Sequence, residues 1–339
     1  MFQGKKILLA VPDHVGFPEV FKRNLEHIGL EVFTLAAPPI DHFKYKNIFQ
    51  RAHNFIRKKF FKDRDFKRKL FLEQNKHELI QKLNGVEKID YTLFIRPDQY
   101  ALEVVKMVRQ KSEKMLCYQW DGLERYPNIY EYIPFMDRFF VFDTKDLSVE
   151  NTLPLTNFFF DFFETNSIVN KNEVYYIGSY LEDRLELIGD IDQKLDILGI
   201  DRTIKIVSNR NRVIELINSK GLIPYPNTIS YMENLKAVVN ATVLIDIQNP
   251  IHNGLSFRIF EGLGYDKKII TTNTDVIKYD FYHPNNILVW DNQTKEDLSS
   301  FLSLPYQVLP KHVKNKYSFT NWFSYITEEK PYEAIDLPS

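Results

Sequence analysis

Short apolar runs separated by stretches of helical spacing recur along most of the chain. Ile7–Val11 is apolar throughout, and Pro18 to Ile28 sets Phe21, Leu25 and Ile28 on one helical face before Gly29. Leu30–Leu35, Tyr91–Ile95, Met115–Tyr118 and Arg138–Phe142 read as further strands, and Leu102–Val108 reads as a helix. The alternation restarts with a strand at Val174–Ile177 and a helix at Asp183–Leu198. It continues through Ile204–Val207 (strand), Ser230–Asn240 (helix), Val243–Ile247 (strand), Phe257–Leu263 (helix) and Lys268–Thr271 (strand). Strands separated by helices imply right-handed parallel βαβ units. The pattern predicts an α/β protein of two Rossmann-like domains facing each other across a cleft, with ligands at the C-terminal ends of the strands.

The first domain is expected at 1–160, with a helical insertion at about 41–83, and the second at 173–316. Asp161 to Asn172 lacks periodicity and reads as the linker. Residues 317–339 form a C-terminal helix and tail, and Tyr317–Ile326 is expected to pack back across the domains.

Composition narrows the classes. The 339 residues are 44% hydrophobic and 26% charged, which suits a globular protein rather than a disordered one. With 44 Lys and Arg against 45 Asp and Glu, the chain as a whole is no nucleic-acid binder. Cys117 stands alone, which excludes an intramolecular disulfide and points to a reducing compartment. No run approaches the ~18 apolar residues of a membrane span, and the run after Lys5-Lys6 is too short for a signal peptide. A cytoplasmic protein is expected.

Charge is unevenly placed. Lys44 to Lys69 holds eleven Lys or Arg and two Asp, a net +9 in 26 residues. Tyr45, Phe49, Ala52, Ile56 and Phe60 fall three or four apart, an apolar stripe on a basic helix. Three readings are open. The stripe packs on the N-terminal domain; it docks on anionic lipid at the inner face of the cell membrane; or the segment binds RNA, which the acidic remainder would oppose.

The strongest chemical signal runs from Asn253 to Asn273. Asn253-Gly254-Leu255-Ser256 opens a helix directly after a strand and loop, so free backbone N–H groups at a positive helix end form a ready anion site. Arg258 can add a bidentate contact to phosphate, and Glu261, one turn on, can accept two ribose hydroxyls. The alternative is a surface pair between Arg258 and Glu261 at i,i+3. Gly178-Ser179 ends a strand, as a ligand contact or as a plain turn with Ser179 capping the next helix. Ser208 to Arg212, with Asn209 and Arg210, follows another strand, as a loop or a phosphate contact. Asp121 is either a turn cap or a cleft residue, and Asp13 and His14, past the first strand, are either acceptor-side groups or idle loop residues.

The block Asn253 to Asn273 resembles the donor-binding segment of glycosyltransferases with the GT-B fold. Tyr176-Ile177-Gly178-Ser179-Tyr180-Leu181-Glu182-Asp183-Arg184 is similar to the segment opening the second domain in bacterial capsule and lipopolysaccharide glycosyltransferases. Tyr118–Asp121, Phe139–Asp143 and Tyr279–Tyr282 resemble other stretches of those enzymes. The likeness is scattered over roughly residues 90–326. It implies transfer of a sugar from a nucleotide-sugar donor to a surface-polysaccharide or lipid-linked glycan, without a metal or other cofactor. Taken with the reading of the residues themselves, it puts Gly178, Ser179, Arg184, Asn209, Arg210, Asn253, Gly254, Leu255, Ser256 and Glu261 on the donor and Arg258 in catalysis, with Asp13, His14 and Asp121 as catalytic candidates from their positions after strands. The first loop, Val11 to Gly16, lacks the glycine pair common in that family, and no acid stands seven or eight residues before Glu261.

Other chemistries lack their motifs. There is no G-x-x-x-x-G-K-[ST], no G-x-G-x-x-G after the first strand and no G-x-S-x-G. Asp63/Asp65 and Asp190/Asp192 are two apart, a spacing that does not converge on one ion from a helix. A nonenzymatic sugar-nucleotide or glycan-binding protein and a sugar-nucleotide epimerase of similar fold remain the alternatives.

Overall fold

The structure, a computed structural model, describes residues 2–40, 43–63, 65–163, 173–249 and 254–338. The chain divides into two compact units, Met1–Val141 with Lys145–Leu153, and Phe142–Thr144 with Pro154–Ser339.

The first unit is built on strands β1 (Lys6–Ala10), β2 (Glu31–Thr34), β3 (Ile89–Ile95), β4 (Ser112–Gln119), β5 (Arg138–Val141) and β6 (Thr152–Pro154), in the order β2-β1-β3-β4-β5-β6. Its helices are α1 (Phe17–His27), α2 (Ile48–Phe60), α3 (Phe66–Asn84) and α4 (Leu102–Lys111). The β2-β1-β3-β4-β5 pairings are all parallel. Parallel strands covered on both faces must be apolar nearly throughout, which is why Ile7–Ala10 and Leu93–Ile95 are fully buried. Val104, Val105 and Val108 of α4 and Leu79 and Leu83 of α3 close the core against them.

The second unit contains β7 (Val174–Ser179), β8 (Arg202–Val207), β9 (Ile223–Tyr225), β10 (Val243–Asp246), β11 (Lys268–Thr271) and β12 (Ile287–Val289). They form one parallel sheet in the order β12-β11-β10-β7-β8-β9. The helices are α5 (Glu182–Ile197), α6 (Asn211–Ser219), α7 (Tyr231–Asn240), α8 (Phe257–Gly264), α9 (Lys295–Ser303), α10 (Lys311–Lys316) and α11 (Phe319–Thr327).

The sequence-based strands and helices all appear, with ends shifted by a few residues. Within the expected first domain, residues 142–144 and 154–160 differ, since they belong to the second unit rather than the first. For 154–160 the reason is aromatic packing. Phe158 packs on Trp322, Phe160 stacks on Phe319, and Trp322 Nε1 donates to Thr156 O at 3.1 Å. Helix α11 thus packs on its own unit's 156–160 segment. Residues 164–172 of the expected linker lie outside the described residues.

Candidate functional site

In the second unit the chain winds from β7 outward through β8 and β9, then returns to the other side of β7 for β10, β11 and β12. The switch point therefore lies between β7 and β10, where open α/β sheets take ligands beyond the carboxyl ends of their strands. Arg258 of α8 spans it. Its Nη2 donates to Ile177 O of β7 at 2.9 Å, and its Nη1 donates to Ile245 O of β10 at 3.2 Å. The expected phosphate ligand is in this arrangement a tie between two strands, with its guanidinium 5.5 Å from the Tyr176 ring.

Ser256 is the N-cap of α8, but its side chain does not cap the helix. Its Oγ donates instead to Asp246 Oδ1 at 2.6 Å, and the other oxygen of Asp246 accepts from Thr271 Oγ1 at 2.9 Å. The first turn of α8 is left without a side-chain cap. Helices α5 and α6 also lack one, with Leu181 and Arg210 at the N-cap. By contrast α7 and α9 carry complete capping boxes, Ser230/Glu233 and Thr294/Asp297. Helix α10, with Pro310 at its N-cap, is uncapped too, but α5, α6 and α8 are the ones that follow β7, β8 and β10, the adjacent central strands.

Charge separates these three. The first turn of α5 already holds Glu182 and Asp183, whereas α6 and α8 have no acidic residue there. The positive ends of α6 and α8 are therefore unanswered by a carboxylate of their own, one on each side of β7. Arg210 and Asn209 are exposed beside the start of α6, where Ser208 Oγ accepts from Arg210 N at 3.3 Å. Arg184 lies in the first turn of α5 close to Tyr176, and Ser179 is exposed at the end of β7 without capping α5.

The glycines have steric explanations. A Cβ on Gly254 would sit 2.2 Å from Phe142 Cδ2, and one on Gly178 would sit 2.4 Å from the Tyr176 hydroxyl. Leu255 is buried, and its carbonyl accepts from Asn157 Nδ2 at 2.8 Å. Asn253 lies outside the described residues.

Glu261 departs from expectation. It is 2% exposed, and its Oε1 accepts from the hydroxyl of Tyr231, itself buried. Neither a solvent-facing ribose ligand nor a surface partner of Arg258 describes it. Burial raises its carboxyl above the ordinary 4.5, against the opposing pull of Arg258 and of the Tyr231 hydrogen bond. Burial, with the Glu261 charge added, also pushes the Tyr231 phenol well up. Sequence reasoning missed Tyr231, Asp246 and Thr271. An Asp ending an apolar strand was the available signal for the second of these.

In the first unit the switch point falls between β1 and β3. Asp13 and His14 are exposed just beyond β1. Arg96, just beyond β3, was not foreseen. Its backbone is left-handed (φ 57°), and its buried guanidinium binds both oxygens of Asp98 at 2.8 and 2.9 Å and Asp121 at 2.7 Å. It also stacks 3.4 Å from the Tyr126 ring centre. Burial works against the charged form of Arg96, but Asp98 and Asp121 outweigh it and hold the proton more tightly than usual. Asp121 is correspondingly engaged at both oxygens, by Arg96 and by Arg125 at 3.0 Å. It is an anchor for two cations rather than a free carboxylate. The two Asp-x-Asp pairs include similar anchors: Asp63 pairs with Arg57, Asp190 with Lys194 and Asp192 with Arg202.

No protein-family model matches this sequence, and no curated protein matches it either. Solved structures do match it in fold. An alpha-glucosyltransferase in complex with UDP-glucose and abasic-site DNA aligns over 95% of this chain and 93% of its own, at TM-score 0.53 and 12% identity. A glycosyltransferase from Rickettsia africae aligns over 96% and 99%, at TM-score 0.50 and 13% identity. A putative UDP-N-acetylglucosamine 2-epimerase from Listeria monocytogenes aligns over 98% and 100%, at TM-score 0.50 and 9% identity. The α/β fold of two Rossmann-like units expected from the sequence is the fold of this chain, and glycosyltransferases and an epimerase share it.

Proposed function

We propose that this protein is a glycosyltransferase that moves a sugar from a nucleotide-sugar donor to a surface-polysaccharide or lipid-linked glycan. The observation that carries the reading is the pair of helices α6 and α8 flanking β7 at the switch point, neither with a side-chain cap or an acidic residue in its first turn. Backbone N–H groups and the helix dipole favour an anion at such ends. Strands two apart in a sheet set them about 10 Å from each other, a span that suits a diphosphate between a nucleoside and a sugar.

In this reading the backbone at Gly254, Leu255 and Ser256 and the loop at Asn209 and Arg210 hold the donor from two sides. Gly178, Ser179 and Arg184 line it from β7 and α5. Arg258 keeps β7 and β10 at fixed spacing, and Glu261 holds Tyr231 beneath the site. Departure of the diphosphate concentrates negative charge on its terminal phosphate, and the prepositioned amides of α8 stabilise that charge most in the transition state. Asp13 and His14, at the carboxyl edge of the first sheet, are the proposed acceptor-side groups. No metal or further cofactor is invoked.

A donor and acceptor screen tests this directly, with UDP-glucose as the first donor. Release of nucleoside diphosphate that depends on a glycan acceptor supports transfer. Interconversion of the donor without acceptor identifies an epimerase, and binding with no release under any pairing identifies a binding protein.

A further inference from the structure

Helix α2 is amphipathic in the inverted sense. Its half-covered positions are polar, namely Gln50, Asn54 and Arg57, while its apolar positions face outward. Ile48 is 75% exposed, Phe49 80%, Phe55 61%, Ile56 45% and Phe60 70%, and Phe61 just beyond the helix is 74% exposed. No residue of α2 is buried. The polar face is bound to the protein. Arg57 pairs with Asp63 at 2.8 Å and lies over the Phe66 ring, His53 also packs on Phe66, and Asn54 donates to the Tyr45 hydroxyl at 2.8 Å. The reading in which the stripe packs on the first unit is therefore overturned.

A helix held by its polar side, with five large apolar side chains in water, is unstable against any surface that covers them. The charges beside the stripe say which surface. Arg51, Lys58, Lys59 and Lys62 are exposed and form no ion pair with a carboxylate among the described residues. Lys59 sits within the stripe, 5.6 Å from the Phe55 ring and 5.9 Å from Phe60, where its stem can lie in an apolar layer while its ammonium reaches outward. Apolar side chains ringed by unpaired cations complement an anionic bilayer, whose acyl boundary takes the rings and whose headgroups take the charges. A protein partner would have to supply both an apolar groove and an acidic rim.

We propose that α2 is a membrane-docking helix that lies in the plane of an anionic phospholipid surface. This rests on α2 alone and stands whether or not the second unit binds a nucleotide sugar. The full chain should sediment with vesicles of phosphatidylcholine containing about a third phosphatidylglycerol, and not with phosphatidylcholine alone. Binding should weaken as salt shortens the screening length below about 10 Å. Each basic side chain near the surface is worth about fivefold in partitioning, so R51Q/K58Q/K59Q/K62Q should lower it by roughly several hundredfold. F49S/F55S/F60S should abolish it as well, without loss of thermal stability, because those rings are already in water. A Phe49→Trp variant should shift its emission to the blue on vesicles. No sedimentation with anionic vesicles, or equal binding to neutral ones, would overturn the proposal. So would a dimer that F49S/F55S/F60S dissolves, or RNA binding that displaces vesicles.

Discussion

Ser256 gives its hydroxyl hydrogen to Asp246 at 2.6 Å rather than capping the helix it begins. That choice joins the end of β10 to the start of α8 and leaves the helix amides for something else. Asp246 is buried and holds Thr271 in the same way. Asp246→Ala should cost about 2–4 kcal/mol, since two hydroxyls lose a charged acceptor. Ser256→Ala should cost about 1–2 kcal/mol. Urea unfolding of both variants checks the order.

Replacing Arg258 probes the tie across the switch point. Arg258→Ala removes two hydrogen bonds from a charged donor to strand carbonyls, and a loss of about 2–3 kcal/mol is expected. Arg258→Lys should recover only part of it, because one ammonium does not reproduce the planar fork that meets both carbonyls. If nucleotide affinity falls in Arg258→Ala while stability is unchanged, the guanidinium contacts the donor instead of tying the strands.

Glu261 supplies a pH signature. Its folded pKa is raised, so the folded state holds the proton more tightly than the unfolded chain. Stability from this group is then greatest at low pH and declines as pH climbs from the ordinary 4.5 through the folded value. Glu261→Gln keeps an acceptor for Tyr231 without a charge. The stability gap between wild type and Glu261→Gln should therefore move in favour of the variant across that window. A gap that does not change with pH would contradict burial of a titrating carboxyl.

Arg96 is the most committed side chain of the first unit. Asp98→Ala leaves a buried guanidinium short of its bidentate partner, and a cost of about 3–5 kcal/mol is expected. Thermal unfolding of Asp98→Ala beside the exposed variant Asp13→Ala provides the contrast, because the latter should be nearly neutral.

The strands were legible because parallel strands buried on both faces must be apolar throughout, as in Ile7–Ala10 and Ile269–Ile270. The three-residue edge strands β6, β9 and β12 were not, since Thr152-Leu153-Pro154 and Ile223-Pro224-Tyr225 are too short for a period and each contains a proline. Spacing located the stripe of α2 but could not say which way it faced. Periodicity sees only that two faces differ, and the outcome was set by Asp63, Phe66 and Tyr45 holding the polar one. Glu261 was misjudged for a related reason. A carboxylate on a short helix reads as solvated unless its partner, Tyr231, thirty residues earlier, is known.

The claim that α6 and α8 hold a donor diphosphate is tested most directly by calorimetric titration of the full chain with a nucleoside, its monophosphate and its diphosphate, beside the Arg184→Ala/Arg210→Ala double variant. The account predicts that affinity rises with each phosphate, and that the double variant loses roughly 100- to 10,000-fold for the diphosphate, the worth of two charge-assisted contacts, while its weaker affinity for the nucleoside is unchanged. Equal affinity for nucleoside and diphosphate, or full diphosphate affinity in the double variant, would contradict it.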